Sequence, residues 1–356
     1  MGNSRWRNPR ATRRGLGMSE DAILIWGAGA IGGILGAYFA RAGHPVHMVD
    51  IVEDHVTAMR DGGLRIEGPV EEFTQVLPAD TPDTLSGKFR RVILAVKAHH
   101  TDAALTMLLP HLAEDGYVVS AQNGLNERLI SAKIGADRTL GCFVNFGADW
   151  LEPGRILYGN RAAVALGELD GTDSTRLREM HALFSLVEPN AVATDNIWGY
   201  LWGKMGYGSL LFGTALTPAS MSDAMDPAAT RPVFAKLGAE VMQLAAAEGV
   251  SPLGFNGFDP DAFLAGDAVG IAAAIDAMVA HNRKTAKTHS GIYRDLAIRK
   301  RKTEVDPQIG LLVEIGRSHG IATPALAMLC DLIHDIEDGK REQSTDLLDL
   351  MVPVCS

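Results

Sequence analysis

Three glycines with fixed spacing directly follow the apolar run Ile23–Trp26 near the start of the chain. A Gly-x-Gly-x-x-Gly motif that leaves a strand and opens a helix is typical of dinucleotide-binding proteins. Its glycines permit a tight turn, close approach of a pyrophosphate, and close packing of the helix on the strand. The positive end of the helix would face the phosphates; the alternative is a glycine-rich turn without a ligand. The cofactor-binding residues predicted from this motif are Gly27, Gly29, Ala30, Ile31 and Gly32.

The end of the second predicted strand distinguishes NAD from NADP. Asp50 closes this strand, about twenty residues after the glycines, where a carboxylate binds the adenosine ribose hydroxyls and repels a 2′-phosphate. Ile51 follows, at the point where an NADP site would need Arg or Lys. The alternative role for Asp50 is to cap the helix that begins near Glu53. We predict NAD as the cofactor rather than NADP.

Lys204 is the only Lys, Arg, Asp or Glu in the stretch 197–217. Burial would lower the pKa of its ammonium group toward the range in which it can give up a proton at neutral pH. Lys204 is therefore a candidate general acid or base; the alternative is a side chain that extends along apolar surface to solvent. Gly203, Gly206 and Gly208 leave space around it for a cofactor, a substrate or another helix.

Four consecutive basic residues, Arg299–Lys302, precede Thr303 and Glu304. Such a run can bind nucleic acid, but cations at a helix end more often interact with the helix dipole and with acids of another domain. Glu304 is either a capping residue of the helix that follows or a functional carboxylate. The net charge of −10 also disfavours a nucleic-acid surface, and we predict no nucleic-acid partner.

The composition is typical of a soluble metabolic enzyme with more than one core: 356 residues, 47% hydrophobic and 21% charged. The cysteines Cys142, Cys330 and Cys355 are far apart, and neither they nor the histidines have the spacing of metal ligands. We predict a reduced, cytoplasmic setting and no metal site. The stretch 197–217 has the length of a membrane span but contains five glycines and Lys204, which predicts a buried helix and no membrane association.

Residues 1–19 differ from the rest of the chain, because they contain five arginines and no acid. They lack the apolar core of a secretory signal. Trp6 stands where an N-terminal acylation motif needs Ser or Thr. We predict a disordered extension outside the chemistry, with translation starting at Met1 or Met18.

The elements that must position these residues fall into two domains. The apolar runs 91–96 and 116–120 predict buried parallel strands, and helix-like stretches alternate with them. This alternation predicts an α/β fold, a doubly wound Rossmann-type sheet over residues 20–194. Strands without intervening helices predict an antiparallel extension of that sheet at 140–146, 155–158 and 162–166. An all-helical domain is predicted over residues 195–356, with helices at 196–217, 229–249, 269–301, 306–319 and 323–338.

From residue 22 to about residue 329 the chain resembles the ketopantoate reductases (2-dehydropantoate 2-reductases). The resemblance is carried, in order, by Gly27–Gly33, Leu94–Ala98, Gln122–Gly124, Leu201–Lys204 and Lys302–Asp306. It implies an NAD(P)-dependent oxidoreductase whose C-terminal domain is like that of 6-phosphogluconate dehydrogenase, binds a small-molecule substrate and forms a homodimer.

The resemblance also implies roles for four residues. Lys97 and Asn123 would line the nicotinamide and its ribose. Lys204 would protonate the ketone oxygen as hydride reaches the carbon. Glu304 would hold the substrate at its hydroxyl or carbonyl end.

Three positions depart from the family pattern. Asparagines that the family places four and eight residues after its lysine are Gly208 and Phe212 here, and a substrate-binding serine corresponds to Gly291, beside His289 and Ser290. A site that loses hydrogen-bonding partners loses affinity for the substrate that used them. We therefore predict a substrate larger or more apolar than ketopantoate, with a site shaped by Gly208, Phe212, His289 and Ser290.

The sequence as a whole predicts an NAD-dependent oxidoreductase that interconverts a ketone or 2-oxo acid with its alcohol, with Lys204 as general acid/base. Because most cells keep NAD oxidised, alcohol oxidation is the expected direction. Two alternatives stay open: a genuine 2-dehydropantoate 2-reductase that uses NADPH in pantothenate biosynthesis, and a non-catalytic NAD-sensing protein. Retention of both Lys204 and Glu304 disfavours the sensor, which needs the glycines and Asp50 but no acid/base pair.

Overall fold

The computed structural model describes residues 21–285 and 288–355, so the extension predicted at residues 1–19 lies outside the described residues. The described strands are β1 (Ile23–Trp26), β2 (Val46–Val49), β3 (Leu64–Glu67), β4 (Phe73–Gln75), β5 (Ala79–Asp80), β6 (Phe89–Leu94), β7 (Leu112–Ser120), β8 (Thr139–Val144), β9 (Gly147–Glu152), β10 (Arg155–Asn160), β11 (Val164–Glu168) and β12 (Val192–Ala193). The described α-helices are α1 (Ala30–Arg41), α2 (Glu53–Asp61), α3 (Thr101–Leu108), α4 (Asn126–Ile134), α5 (Thr175–Ser185), α6 (Ile197–Thr214), α7 (Met221–Met225), α8 (Arg231–Ala247), α9 (Pro260–Ala265), α10 (Ala268–Arg283), α11 (Gly291–Tyr293), α12 (Leu311–His319), α13 (Pro324–Glu337) and α14 (Asp346–Cys355).

The main sheet has eight strands in the order β12-β11-β8-β7-β6-β1-β2-β5. Neighbouring strands are parallel except for β8 and β11. Side chains of β1 alternate between the two faces: Ile23 and Ile25 pack in the core that contains α1, and Leu24 and Trp26 pack in the core that contains α3. Burial on both faces explains why the central strands are continuous apolar runs. The predicted doubly wound α/β sheet is confirmed.

The hairpin of β9 and β10 leaves the main sheet and forms a second sheet, in the order β4-β3-β10-β9. The predicted antiparallel extension is therefore correct for β11, which pairs antiparallel with β8, and wrong for this hairpin. In β10 only Ile156 and Tyr158 are fully buried, whereas every residue of β11 is buried. The single apolar face of β10 covers α1, where a Cβ on Gly33 would lie 2.2 Å from Ile156 Cδ1.

The helices from α6 onward surround one apolar core, and α6 packs against both α8 and strand β8 of the main sheet. The single helix predicted at 269–301 is wrong, because α10 ends at Arg283 and a helix resumes only at Gly291. Ser290 begins the new helix by accepting a hydrogen bond from the N–H of Tyr293 at 3.1 Å. This N-cap signal was hidden by the apolar periodicity around it. Among the described residues, no helix is both long enough and apolar enough to cross a membrane.

The glycines of α6 let other parts of the chain approach this helix. A Cβ on Gly203 would lie 2.0 Å from the carbonyl oxygen of Leu253, and one on Gly206 would lie 2.5 Å from the ring of Phe258. Gly208 differs, because a Cβ there would meet no atom within 4 Å. Of these three glycines, two serve packing against residues 253–258, and Gly208 opens space.

Candidate active site

The glycine loop joins β1 to α1 at the carboxyl end of the sheet, where parallel sheets bind ligands. Gly27 has φ +97°, and a Cβ there would lie 2.8 Å from the backbone after β6, so the position requires glycine. A Cβ on Gly32 would lie 2.0 Å from the carbonyl oxygen of Gly27, which explains the close helix–strand packing. A Cβ on Gly29 would meet no atom within 4 Å. Ala30 and Ile31 are partly exposed in the first turn of α1, whose N–H groups have no intrahelical acceptor.

Asp50 lies at the end of β2, beside the glycine loop. Its carboxylate accepts hydrogen bonds from the backbone N–H of Ala28 at 2.9 Å and of Val52 at 3.0 Å. Each oxygen keeps a further lone pair for a ribose hydroxyl. No side chain caps α2 at its first residue, Glu53, so Asp50 supports the glycine loop instead of that helix. Ile51 is 70% exposed beside it.

Lys204 reaches from α6 to the carboxyl edge of the main sheet. Its Nζ donates hydrogen bonds to Asn123 Oδ1 at 2.7 Å and to the carbonyl oxygen of Val144 at 2.5 Å. Because Asn123 follows β7 and Val144 ends β8, the ammonium group lies at two adjacent strand ends. It also lies 5.3 Å from the centroid of the buried Phe143 ring, within the range of a cation–π interaction. Lys204 and Asn123, which the sequence placed in one site, are therefore brought into direct contact.

Side-chain amides hold the loop that carries Asn123. Gln122 Nε2 donates to the carbonyl oxygen of Val96 at 2.9 Å and to Thr101 Oγ1 at 2.7 Å. Asn126 Nδ2 donates to the carbonyl oxygen of Asn123 at 2.6 Å. These bonds join the loops that follow β6 and β7, so the position of Asn123 is set by both strands.

Two consecutive residues after β6 contact the helical domain. Lys97 Nζ donates to Asp295 Oδ2, and the N–H of Ala98 donates to Glu304 Oε1, both at 2.7 Å. Burial alone would raise the pKa of Asp295, but the hydrogen bonds of Lys97 and Arg299 and the charges of Lys97 and Arg301 outweigh it and hold that pKa below its ordinary value. Glu304 therefore crosses the domain boundary instead of capping the helix that follows it.

The basic run after residue 298 forms ion pairs within the helical domain and, through Arg299, one pair with the other domain. Arg299 donates to Asp149 of β9 at 2.9 Å and to Asp295 at 3.0 Å, and Arg301 donates to Asp295 at 2.9 Å. Since β9 belongs to the part of the chain that carries the Rossmann-type sheet, Asp149 ties the two parts together. These pairs agree with the interpretation that the basic run pairs with acids of the protein itself. The absence of a nucleic-acid partner stays a prediction.

One face of α6 opens toward the site. Lys204, Gly208 and Leu211 are partly exposed, whereas Phe212 is 1% exposed and lies in the core of the helical domain. With about 3.6 residues per turn, a residue seven positions on lies nearly above the first, and one eight positions on is rotated by about 80°. The structure therefore brings Gly208 to the site and places Phe212 away from it.

The segment before α11 has mainly structural contacts. Ser290 is 2% exposed and its hydroxyl caps α11. His289 Nε2 lies 3.1 Å from the carbonyl oxygen of Pro218, and its ring centroid lies 4.2 Å from that of Tyr293. A Cβ on Gly291 would meet nothing within 4 Å, so the missing serine leaves open space. Substrate contacts of His289 and Ser290 stay predictions.

Two acids at this site were missed from the sequence. Asp295, the partner of Lys97, could have been found from its place between Ser290 and Glu304, in a stretch rich in basic and acidic residues. Glu127 is 0% exposed, and burial raises its pKa to about 7 against the opposing charge of Lys204. An acid in the first turn of a helix is ordinarily a surface residue that favours the helix dipole, so the sequence held no signal for its burial.

Among residues 21–285 and 288–355, no group of three His, Cys, Asp or Glu side chains is placed to hold a metal ion. Cys142, Cys330 and Cys355 are free thiols. Burial raises the pKa of the Cys330 thiol to about 12 and that of the Cys355 thiol to about 11. Neither thiol is therefore activated as a nucleophile.

Comparison with known families matches two models over most of the chain. The model described as "Ketopantoate reductase PanE/ApbA" matches residues 23–171, and "Ketopantoate reductase PanE/ApbA C terminal" matches residues 196–337. Among curated proteins, the 2-dehydropantoate 2-reductase of Halobacterium salinarum is 26% identical over 314 residues, which cover 87% of this chain and 97% of the relative.

Solved structures share the same arrangement of elements. A PanE/ApbA family ketopantoate reductase from Ralstonia eutropha JMP134 has a TM-score of 0.75 at 25% identity, covering 90% of this chain and 100% of that one. A D-mandelate dehydrogenase with NADH and anilino(oxo)acetate has a TM-score of 0.77 at 23% identity, covering 89% and 98% of the two chains. The fold and the two family models agree: this chain belongs to the ketopantoate reductase family of NAD(P)-dependent oxidoreductases, which act on CH–OH groups and the corresponding 2-oxo groups.

Proposed function

We propose that the protein is an NAD-dependent dehydrogenase that interconverts a 2-hydroxy acid with its 2-oxo acid, with Lys204 as general acid/base. The observation that carries this proposal is the placement of Lys204 Nζ at the carboxyl ends of β7 and β8, bonded to Asn123 and Val144. An ammonium group at this edge of a dinucleotide-binding sheet lies where substrates of such folds bind.

The residues present fit a dinucleotide. Gly27 and Gly32 allow the tight turn, and the space beside Gly29 is a cradle that a Cβ would fill. Asp50 places its charge beside this loop, which favours NAD over NADP, because a 2′-phosphate would meet a carboxylate. When bound, the nicotinamide supplies hydride to the ketone or accepts it from the alcohol.

The chain's own residues account for the proton. In oxidation, an uncharged Lys204 takes the proton of the substrate hydroxyl; in reduction, its ammonium group protonates the ketone oxygen. Asn123 and the carbonyl of Val144 orient Nζ. Glu304, held by the N–H of Ala98, keeps one oxygen of its carboxylate available to accept a hydrogen bond from the substrate.

Open space on α6 supports a substrate with a bulky substituent. Gly208 lies one turn after Lys204 on the same open face, and Gly291 likewise has nothing within 4 Å of where its Cβ would be. Apolar ligand groups are favoured where the wall offers no hydrogen-bonding partner. We therefore propose branched or aromatic 2-hydroxy acids rather than pantoate. The D-mandelate dehydrogenase of the same fold was solved with NADH and anilino(oxo)acetate.

Activity assays with Lys204→Met test this proposal. Purified protein is assayed for NADH formation with 2-hydroxy acids of increasing side-chain size and with pantoate, using NAD or NADP. With the best substrate, Lys204→Met should lower kcat by roughly 10²- to 10⁴-fold, the usual contribution of a positioned proton-transfer group, while NAD affinity is kept. Lys133→Met is the matched control. Lys133 lies on the surface of α4 and pairs with Asp102 of α3, so this variant should retain activity.

Other outcomes distinguish the alternatives. Preferred turnover of ketopantoate with NADPH would identify a genuine 2-dehydropantoate 2-reductase. Tight NAD binding without turnover of any substrate would identify an NAD-sensing protein. Near-normal kcat in Lys204→Met would refute the assigned role. We further propose a homodimer, which sedimentation equilibrium of the purified protein would test.

A further inference from the structure

Glu127 is a carboxylic acid enclosed in the first turn of α4, directly after the loop that carries Asn123. Its side chain is 0% exposed, and neither carboxyl oxygen has a hydrogen-bond partner among the described residues. A buried carboxylate without a partner is costly, so such a group persists only if it is neutral or if a nearby charge compensates it.

The ionisable groups that face Glu127 come from two other elements. Lys204 on α6 reaches the same loop and the same strand, because its Nζ bonds Asn123, four residues before Glu127, and Val144 of β8. Its positive charge favours the carboxylate of Glu127, and Cys142, two residues before Val144, is a fully buried thiol. Ser120 of β7 and the backbone at Cys142 lie near enough to favour the carboxylate, but none of them has the geometry of a hydrogen bond. The charged neighbours on α4 point elsewhere: Arg128 pairs with Glu248, and Lys133 pairs with Asp102.

We propose that Glu127 is a positioning residue that sets the protonation state of Lys204 from beneath the site. This inference rests on the proposed role of Lys204 as general acid/base. The ionised carboxylate stabilises the ammonium form of Lys204, and protonation of Glu127 removes that stabilisation. The two groups therefore titrate as a coupled pair.

The physical basis is the low dielectric around Glu127, which is 0% exposed. Burial raises the pKa of Glu127 to about 7 even with the charge of Lys204 opposing the shift. When Lys204 gives its proton to the substrate oxygen, Glu127 loses its compensating cation and binds a proton more readily. The charge of Glu127 therefore depends on the charge of Lys204.

The pH dependence of catalysis in Glu127→Gln tests this coupling. Loss of the negative charge should let Lys204 deprotonate more easily. The rising limb of kcat for oxidation and the falling limb for reduction should therefore both move to lower pH, by about one unit or more. In the pH range where the limb moves, KM should change less than kcat. Glu127→Asp, which restores the charge, should return the limbs toward their original positions.

Glu240→Gln is the matched control. Glu240 is also a buried carboxyl, 1% exposed, but it accepts hydrogen bonds from the N–H groups of Ala325 and Leu326 at the start of α13. Its replacement should leave both limbs in place. A uniform loss of kcat at every pH in Glu127→Gln, without movement of either limb, would show a merely structural role and overturn the proposal.

A second measurement needs no turnover. Infrared difference spectra between low and high pH should contain the carbonyl band of protonated Glu127, which Glu127→Gln identifies by its loss. In Lys204→Met the band should persist to higher pH by about one unit or more, because the compensating cation is gone. If the carbonyl band of Glu127 titrates at the same pH in Lys204→Met as in the unmodified protein, the coupling is overturned, even if Glu127→Gln does not fold. If the band shifts while Lys204→Met keeps its kcat, the coupling stands and the proposed function fails.

Discussion

At the scale of single residues, the glycines of the dinucleotide loop differ in what a methyl group would meet. A Cβ on Gly32 would lie 2.0 Å from the backbone oxygen of Gly27, whereas a Cβ on Gly29 would meet no atom of the chain within 4 Å. Gly32 is therefore required by the fold. Packing within the chain does not require a glycine at position 29. The open space beside it fits a ligand that approaches this backbone.

Gly29→Ala should weaken NAD binding by tenfold or more, because the methyl group occupies the path of the pyrophosphate. Its free energy of unfolding should change by less than about 1 kcal/mol, the scale of an N-cap substitution. Gly32→Ala should instead destabilise the fold by more than about 2 kcal/mol through overpacking. Calorimetric titration with NAD and urea denaturation measure the two effects. Unchanged NAD affinity in Gly29→Ala would show that this loop does not hold the cofactor.

Cofactor choice is expected to depend on Asp50. The unmodified protein should bind NAD at least about tenfold more tightly than NADP, roughly 1.4 kcal/mol. Asp50→Ser combined with Ile51→Arg should erase or reverse this preference, and Ile51 is exposed enough to accept the longer side chain. Asp50→Asn alone keeps a hydrogen-bond acceptor for the N–H of Ala28 and isolates the effect of charge. Equal affinities of the unmodified protein for the two dinucleotides would contradict the assignment.

At the scale of elements, α6 separates packing from chemistry by face. Its buried faces meet the core and, at Gly203, the backbone oxygen of Leu253; its open face carries Lys204, Gly208 and Leu211. The same helix thus fixes the domain and presents the ammonium group to the sheet edge.

Gly208→Asn should change specificity without loss of stability, because a Cβ there meets open space. We expect kcat/KM to fall at least about tenfold for bulky 2-hydroxy acids and to rise for small polar ones, since the amide fills the space and offers a hydrogen bond. Gly203→Ala is the contrasting variant and should lose more than about 2 kcal/mol of unfolding free energy. Parallel loss for every substrate in Gly208→Asn would argue that this face does not contact the substrate.

At the scale of the whole molecule, polar contacts across the domain boundary assemble the site. Lys97 with Asp295, Ala98 with Glu304 and Lys204 with Asn123 each join one domain to the other. Under the proposed function, stability and catalysis therefore depend on the same groups.

Glu127 should make the folded protein less stable as pH rises. Its folded-state pKa of about 7 exceeds the ordinary 4.5, so the native state binds more protons than the unfolded state between these values, and stability falls through this window. Relative to the unmodified protein, Glu127→Gln should gain about 2 kcal/mol of unfolding free energy between about pH 5 and pH 8. Urea denaturation at each pH measures this, and contributions of other titrating groups cancel in the comparison. Parallel pH curves for the two proteins would contradict a buried, titrating Glu127.

The local pattern of the sequence determined the family, the doubly wound sheet and the dinucleotide loop, because these depend on residue order over short spans. Asp50 directly follows β2, and the tight turn after β1 requires a positive φ at Gly27. The division between residues 194 and 195 and the roles of Lys204 and Glu304 also came from the sequence, and they stay predictions.

Tertiary structure alone decided which faces and partners these residues have. The hairpin of β9 and β10 belongs to the second sheet because the one apolar face of β10 packs against α1. Phe212 lies in the core because the rotation of the helix places Leu211 on the open face. Glu304 reaches Ala98 and Lys97 reaches Asp295 over separations of 206 and 198 residues. Such pairings depend on how two domains pack, and burial of Glu127 depends on how neighbouring elements pack on the first turn of α4. No periodicity along the chain encodes either.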